Sequence, residues 1–512
     1  MRTFHTADLD AALAANTLSS DDILSLYCGL DTCITMEVWQ ALEPDLRSHP
    51  PSATIYEFER QLQAPALEMM LRGILVDLER RDAKAAEFEA KEAQVCALLN
   101  ELTEAAGFGP LNPRSYPRLL AFFYEFLRVP KLFISFKGMK RLSLNREALE
   151  KHKERFDALP FVNLILHARK HRDTLKFLRK GIDPDRRART FYGVAATETG
   201  RWSSRRSAFG TGDNMQNQPP AVREIYVADP GYKLVNIDKE QAESRITGWY
   251  VLLCTGDSTY LDACESGDLH TLVAQMCFGV RDRADAESRK FYGEWSYRDV
   301  CKRLGHATNY LGSPWTLARL LHIPVRVVED FQRRYFDQFP IPEWHRHTAT
   351  VLQSTGELTT YMGRRRQFFG RLRDDATLRE AVAYLAQSGQ VDSLNEGLLR
   401  CWRAFGSRVQ WLGQTHDSVL FQVPEDQTDG FCAGVMHILD DQRDLAGFPI
   451  LHGDRRFCIP SEAKVGWRWC DGRSDPDGMV KWKPGQPDPR TRQHKPNGGA
   501  SLQELLTRRL SA

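Results

Sequence analysis

"YKLVNIDKEQAESRITGWYVLL" (Tyr232–Leu253) changes its period partway. Tyr232–Asp238 reads as a β-strand. The rest takes a helical period that puts Ile246, Trp249, Tyr250 and Leu253 on one side. Asp238 therefore sits where a strand delivers its last side chain. A second such place is "RVQWLGQTHDSVLFQV" (Arg408–Val423), two strand-like runs joined at His416-Asp417. That pattern predicts a hairpin with Asp417 at its tip. Two aspartates on separate strands can hold two Mg²⁺ ions about 3.5–4 Å apart, which stabilises both the attacking and the leaving oxygen of a phosphoryl transfer. Taken alone, either aspartate is equally well a turn or cap residue.

"DVCKRLGHATNYLGS" (Asp299–Ser313) supplies cations. As a helix it puts Arg298, Lys302, His306 and Tyr310 within an arc of about 120°. Val300, Leu304, Ala307 and Leu311 take the other side. Arginine can grip a phosphate bidentately, lysine acts as a point charge or proton donor, and a ring can stack on a base. By itself the stretch is also an ordinary solvated amphipathic helix.

The chain has 512 residues, enough for two or three lobes. Its formal net charge of +2 gives no whole-molecule field, so basic character has to be local. One such place is 179–206, with eight basic and three acidic residues among Gly, Thr and Ser. The 11 cysteines form no CxxC pair, which points to reduced thiols and a cytosolic compartment. No apolar run approaches a membrane span.

The remaining pattern predicts a break at Pro50-Pro51, a helix over 55–71 and a strand at "GILVD" (Gly73–Asp77). A charged helix follows over 79–105, then a helix capped by Ser115. "FKGMKRLSLN" reads as a basic loop, with two helical stretches running on to about 180. Helices dominate 260–400, and the Pro-, Gly- and charge-rich 471–512 reads as a flexible tail.

"DKEQAESR" (Asp238–Arg245) resembles the first catalytic motif of family A DNA polymerases, D-Y-S-Q-I-E-L-R, and "THDS" (Thr415–Ser418) resembles the second, V-H-D-E. The row Arg298, Lys302, Tyr310 is similar to that family's nucleotide-binding helix. "TETGRWSS" (Thr197–Ser204), "NMQNQP" (Asn214–Pro219), "GDLHTLVA" (Gly267–Ala274), "GRRR" (Gly363–Arg366) and the pair Arg379 and Gln387 follow in family order. The resemblance covers about 54–469, and phage-encoded members are nearest in character.

The resemblance implies an α+β right hand. Residues 1–50 would be a remnant of a 3′–5′ exonuclease domain, 51–84 a palm-linked segment, 85–180 the thumb, 181–258 and 395–470 the palm, and 259–394 the fingers. It implies primer-dependent DNA synthesis in replication, on primer-template DNA with dNTPs. Asp238, Asp417 and the Lys239 carbonyl would bind two Mg²⁺, with Mn²⁺ as a substitute. Arg298, Lys302 and His270 would hold the triphosphate, with Lys302 a candidate general acid. Gln241 would join the nucleotide site, Glu243 would exclude a ribose 2′-hydroxyl, His306 would stack beside the nucleotide, and Tyr310 would pack near the templating base. Arg201, Asn214, Gln216, Arg245, Arg379, Gln387 and His416 would contact primer-template DNA.

The chain departs from the family pattern at Ser418 (usually Glu), Ala383 (usually Asn), His306 (usually Phe or Tyr) and "YLG" (usually YG). "YCGLD" (Tyr27–Asp31) resembles the exonuclease's last motif, yet no DxE precedes it, so proofreading by this chain alone is not expected. A separate exonuclease or processivity subunit is an expected partner, and a membrane is not. The expected compartment is cytoplasmic, that of the host if the gene is viral. A single-subunit RNA polymerase and a catalytically inactive DNA-binding scaffold are the rival readings. Glu243 and "TGRWSS" weigh against the first, and the retained ligand set against the second.

Overall fold

The structure is a computed structural model that describes residues 19–486 except 137–138, 208–209 and 294, together with Ala11 and Ala15. Helices α1 (Ser20–Ser48) and α2 (Pro50–Arg72) meet at His49, whose ring accepts the Ser52 N–H, while Pro50 opens α2. The expected break is there. Helix α3 (Leu78–Ala105) is capped by Asp77, which accepts from the Arg80 N–H at 2.9 Å. It packs along α4 (Leu159–Leu178), and Leu99, Phe122, Phe123, Leu149 and Ile165 form the core of this lobe. Ser115 precedes the short helix Tyr116–Leu120 but makes no capping hydrogen bond. "FKGMKRLSLN" is not a plain loop. Phe133–Phe136 and Met139–Leu142 pair as an antiparallel hairpin.

Nine strands form the central sheet. They are β1 (Ile74–Val76), β2 (Arg187–Ala188), β3 (Tyr226–Val227), β4 (Tyr232–Lys239), β5 (Gln410–Thr415), β6 (Ser418–Pro424), β7 (Ser461–Gly466), β8 (Arg468–Asp471) and β9 (Gly478–Trp482). Their order is β5-β6-β4-β7-β9-β8-β3-β1-β2. Alternation assigns the faces. Val235, Ile237, Val419, Phe421, Ala463 and Val465 pack as one buried cluster with helices α9 (Asp375–Phe405) and α10 (Thr428–Asp440). Asp238 and its register partners take the opposite face, toward the cleft.

Helix α5 (Ala242–Thr255) is buried all round from Ser244 to Leu252, where the sequence pattern had implied one apolar side. Leu253, expected on that side, is 41% exposed. The helix is wedged between the sheet and the helical lobe: Trp249 stacks on Phe457 and Tyr250 on Trp344. That lobe holds α6 (Leu269–Phe278), α7 (Tyr297–Asn309) and α8 (Pro314–Leu321) around Val273, Leu304, Phe331 and Trp344. The boundary expected at 394/395 falls inside the unbroken α9. A flexible tail from 471 is also corrected. Residues 478–482 form β9, inserted between β7 and β8, because Trp482 can bury its ring at 3% exposure and donate to Asp429. Residues 487–512 of that expected tail lie outside the described residues. Among the described residues no helix is long and apolar enough to cross a membrane. Among the described residues, which include all 11 cysteines, none is joined in a disulfide.

Candidate active site

The expected hairpin and strand bring the two aspartates together. Strand β6 pairs with β4 so that Ser418 faces Asp238, and the Lys239 N–H donates to the Asp417 carbonyl at 3.0 Å. On the other flank β7 sets Glu462 opposite Asp238. Burial in the cleft floor, reinforced by the Asp417 charge, raises the Asp238 carboxyl to about 7, although solvent still reaches the side chain. Neither aspartate side chain has a hydrogen-bond partner among the described residues. Crowded carboxylates without donors are what a divalent cation resolves, so the pair fits the implied metals. Among the described residues no group of three or more His, Cys, Asp or Glu is placed to hold a metal. Remaining positions would go to water or phosphate oxygens, as Mg²⁺ prefers.

Helix α7 presents the cationic row as expected, but its first member is engaged. Arg298 grips Asp268 bidentately, at 2.6 Å from Nε and 2.9 Å from Nη2. Burial opposes the Asp268 charge. The Arg298 and Thr271 hydrogen bonds outweigh that and hold its carboxyl at about 2. Asp268 takes the N-cap position of α6, two residues before His270, but spends its carboxylate on Arg298 and the Thr271 hydroxyl instead of a capping hydrogen bond. Burial and the adjacent His306 push His270 down to about 3, so it is neutral at pH 7, with the two rings 5.6 Å apart. Lys302 is exposed and has no carboxylate partner among the described residues.

Glu243 joins the α7 row to the start of α5. Its carboxylate accepts from the Tyr310 hydroxyl at 2.7 Å and from Arg201 at 3.3 Å, and His306 Nδ1 lies 3.8 Å away. Burial lowers the His306 pKa against the opposing pull of Glu243. Gln241 sits in the left-handed region at φ 52° and donates to the Gly267 carbonyl at 2.9 Å, tying the end of β4 to the segment that carries Asp268. His416, at the β5–β6 turn, keeps an unpartnered Nδ1, and Arg201 an unpartnered Nε. Arg379 is exposed on α9, with Gln387 half-buried two turns on.

Three residues expected at the DNA are buried or engaged within the protein. Arg245 is 7% exposed, on the buried side of α5 near Cys264. Gln216 is 8% exposed and donates to the Gln414 carbonyl at 3.2 Å. Asn214 caps the turn Met215–Asn217 through its side-chain oxygen. Gln216 and Asn214 brace the loop beneath the site, whereas the buried Arg245 Nε has no hydrogen-bond partner. Conversely, Asp268, Glu462, Lys464 and Lys481 were not singled out from sequence. Asp268 lies inside "GDLHTLVA" and was readable as a partner for Arg298. The other three depend on register across strands far apart in the chain.

Residues 82–469 match the family model for DNA polymerase family A. The chain is 27% identical over 436 residues to the thermostable DNA polymerase I of Thermus thermophilus, covering 80% of this chain and 47% of that protein. To DNA polymerase I of Chloroflexus aurantiacus it is 26% identical over 426 residues, covering 79% and 43%. The chain thus spans about half the length of the curated relatives it matches. Its fold is similar to the polymerase domain of Pol1 from M. smegmatis, solved with DNA primer-template and dNTP, at TM-score 0.71 and 22% identity, covering 85% of this chain and 74% of that one. With the family match spanning most of its length and the two aspartates at the ends of adjoining palm strands, the chain belongs to DNA polymerase family A.

Proposed function

We propose that this chain is a template-directed, primer-dependent DNA polymerase that acts in replication. The observation that carries the reading is the register of β4 with β6, which puts Asp238 and Asp417 side by side beneath the cationic face of α7. The primer 3′-hydroxyl attacks the α-phosphorus of a dNTP, the new P–O bond forms, and the bond to the β-phosphate breaks with pyrophosphate leaving. Asp238, Asp417 and the Lys239 carbonyl would hold two Mg²⁺, or Mn²⁺ in their place, which supply charge neutralisation at the attacking and leaving oxygens.

The chain's own groups do the rest. Arg298 exchanges Asp268 for the triphosphate, neutral His270 hydrogen-bonds to phosphate, and Lys302 delivers a proton to the leaving pyrophosphate. Glu243, held by Tyr310 and Arg201, occupies the space a ribose 2′-hydroxyl would need, and His306 stacks beside the base. Tyr310 packs near the templating base, while Arg201, Arg379, Gln387 and His416 contact the primer terminus and the minor groove. A separate exonuclease or processivity subunit is the partner proposed for the segment ahead of α2, and the cytoplasm is the proposed compartment. The 11 free thiols support the latter.

Primer extension with dNTPs and NTPs offered separately tests the reading. Extension with dNTPs that Asp417→Ala abolishes, with DNA binding retained, is expected. A preference for NTPs would make the chain an RNA polymerase. Binding of primed DNA without incorporation in Mg²⁺ or Mn²⁺ would make it a scaffold.

A further inference from the structure

Strand β9 lies beyond the family match, which ends at residue 469. It pairs with β7 and sets Lys481 directly opposite Lys464. Strand β7 in turn sets Lys464 opposite Asn236 and Glu462 opposite Asp238. Residues in direct antiparallel register share a face. Asp238, Glu462, Lys464 and Lys481 therefore stand together on the cleft side, while Ala463, Val465 and Trp482 fill the reverse side.

Two ammonium groups in directly opposed positions repel each other and destabilise the strand pair. One carboxylate serves both. Lys481 Nζ donates to Glu462, and Lys464 Nζ lies 4.0 Å from it. The trio keeps one positive charge in excess, and the lysine side chains are 54% and 50% exposed. A paired-cation floor beside the reacting centre suits an anion carrying several charges.

Strand order indicates which anion. His416 and the Asp417 turn lie on the β6 side of β4, and β7 and β9 lie on the other side. Of the groups proposed above for the primer terminus, His416 is on the first side, and the lysines stand across β4 from it. We propose that Lys464 and Lys481 form a binding site for pyrophosphate as it leaves the active centre, held ready by Glu462. The inference rests on the polymerase reading. Its shared chemistry is a phosphate oxyanion, and the other source of one would be a primer phosphodiester.

Inorganic pyrophosphate titrated calorimetrically into the full chain, without and with Mg²⁺, tests the site apart from catalysis. Lys464→Gln and Lys481→Gln are each expected to weaken binding roughly tenfold, since each removes one charge-assisted hydrogen bond. Lys481→Arg is expected to keep it, and Glu462→Gln to tighten it. Lys464→Gln stands independently should Lys481→Gln unseat β9. Unchanged pyrophosphate affinity in both Gln variants overturns the proposal. So does a loss confined to primer-template affinity, which would assign the lysines to primer phosphodiesters. A wild type that binds pyrophosphate but extends no primer would refute the polymerase reading and keep the anion site.

Discussion

Tyr310, the residue that closes α7, donates its hydroxyl to Glu243 Oε2 at 2.7 Å, across 67 residues of chain. Asn309 beside it is locked in turn by Tyr260, Tyr335 and His345. Helix α7 is thereby pinned to the first turn of α5, where the proposed function puts the sugar of an incoming nucleotide.

Glu243→Ala should open that space. Selectivity for dNTP over NTP is expected to fall by about a hundredfold, the scale on which a shaped pocket discriminates a single hydroxyl. Tyr310→Phe leaves the carboxylate but removes its anchor, so a smaller fall is expected. Single-nucleotide kcat/KM for matched dNTP and NTP measures both. Equal selectivity in wild type and Glu243→Ala would remove Glu243 from the sugar site.

Arg298 cannot hold Asp268 bidentately and a triphosphate at once with the same two donors. On the proposed function the pair would compete with the nucleotide. Asp268→Asn should lower the dNTP dissociation constant by roughly three- to tenfold, because less of the protein is held in the closed-off pair. Arg298→Ala should raise it. Stopped-flow nucleotide titrations of a primed complex distinguish the two directions.

The placement of Asp238, Asp417 and the α7 row was legible in sequence because it uses local signals. A strand-to-helix switch ends on Asp238, a hairpin tip carries Asp417, and a four-residue repeat builds the α7 row. What failed was burial. Gln216 and Arg245 are polar residues that pattern cannot tell from surface residues, and only the packed loop against β5 and the all-round burial of α5 show them to be buried. Strand β9 failed for another reason. Its Pro- and charge-rich flanks mask a five-residue strand whose apolar partners lie on β7 and α10.

Asp238 makes metal-free stability depend on pH. Burial, and after it the Asp417 and Glu462 charges, raise its carboxyl from 3.8 to about 7 against the pull of Lys464 and Lys302. A raised carboxyl favours the folded state while protonated. Its contribution is thus full below about 4 and is lost as pH rises through about 7. Mg²⁺ should raise the melting temperature more at pH 8 than at pH 6, and Asp238→Asn should flatten that difference. Thermal melts with EDTA and with Mg²⁺ at both pH values check it.

His306 is a neutral ring within 3.8 Å of a carboxylate, able to donate where phenylalanine cannot. His306→Phe should increase discrimination against dideoxynucleotides by about fivefold, the value of one ordinary hydrogen bond. Equal ddNTP/dNTP ratios in the two proteins would leave the imidazole as a spacer.

Trp482 is the anchor of β9. Its ring is 3% exposed in the cluster behind β4, and its Nε1 donates to Asp429 at 2.6 Å. Trp482→Ala removes a large buried ring and leaves an unfilled volume, at a cost of about 3–5 kcal/mol. Trp482→Phe keeps most of the volume, loses the hydrogen bond and should cost about 1–2 kcal/mol. Denaturant melts give both values. The strand also carries Lys481 on its other face, so Trp482→Ala should weaken pyrophosphate binding along with stability, whereas Lys481→Gln should weaken binding alone. Were Trp482→Ala as stable as wild type, β9 would not be an integral strand of the palm, and the face it lends to the cleft would lose its support.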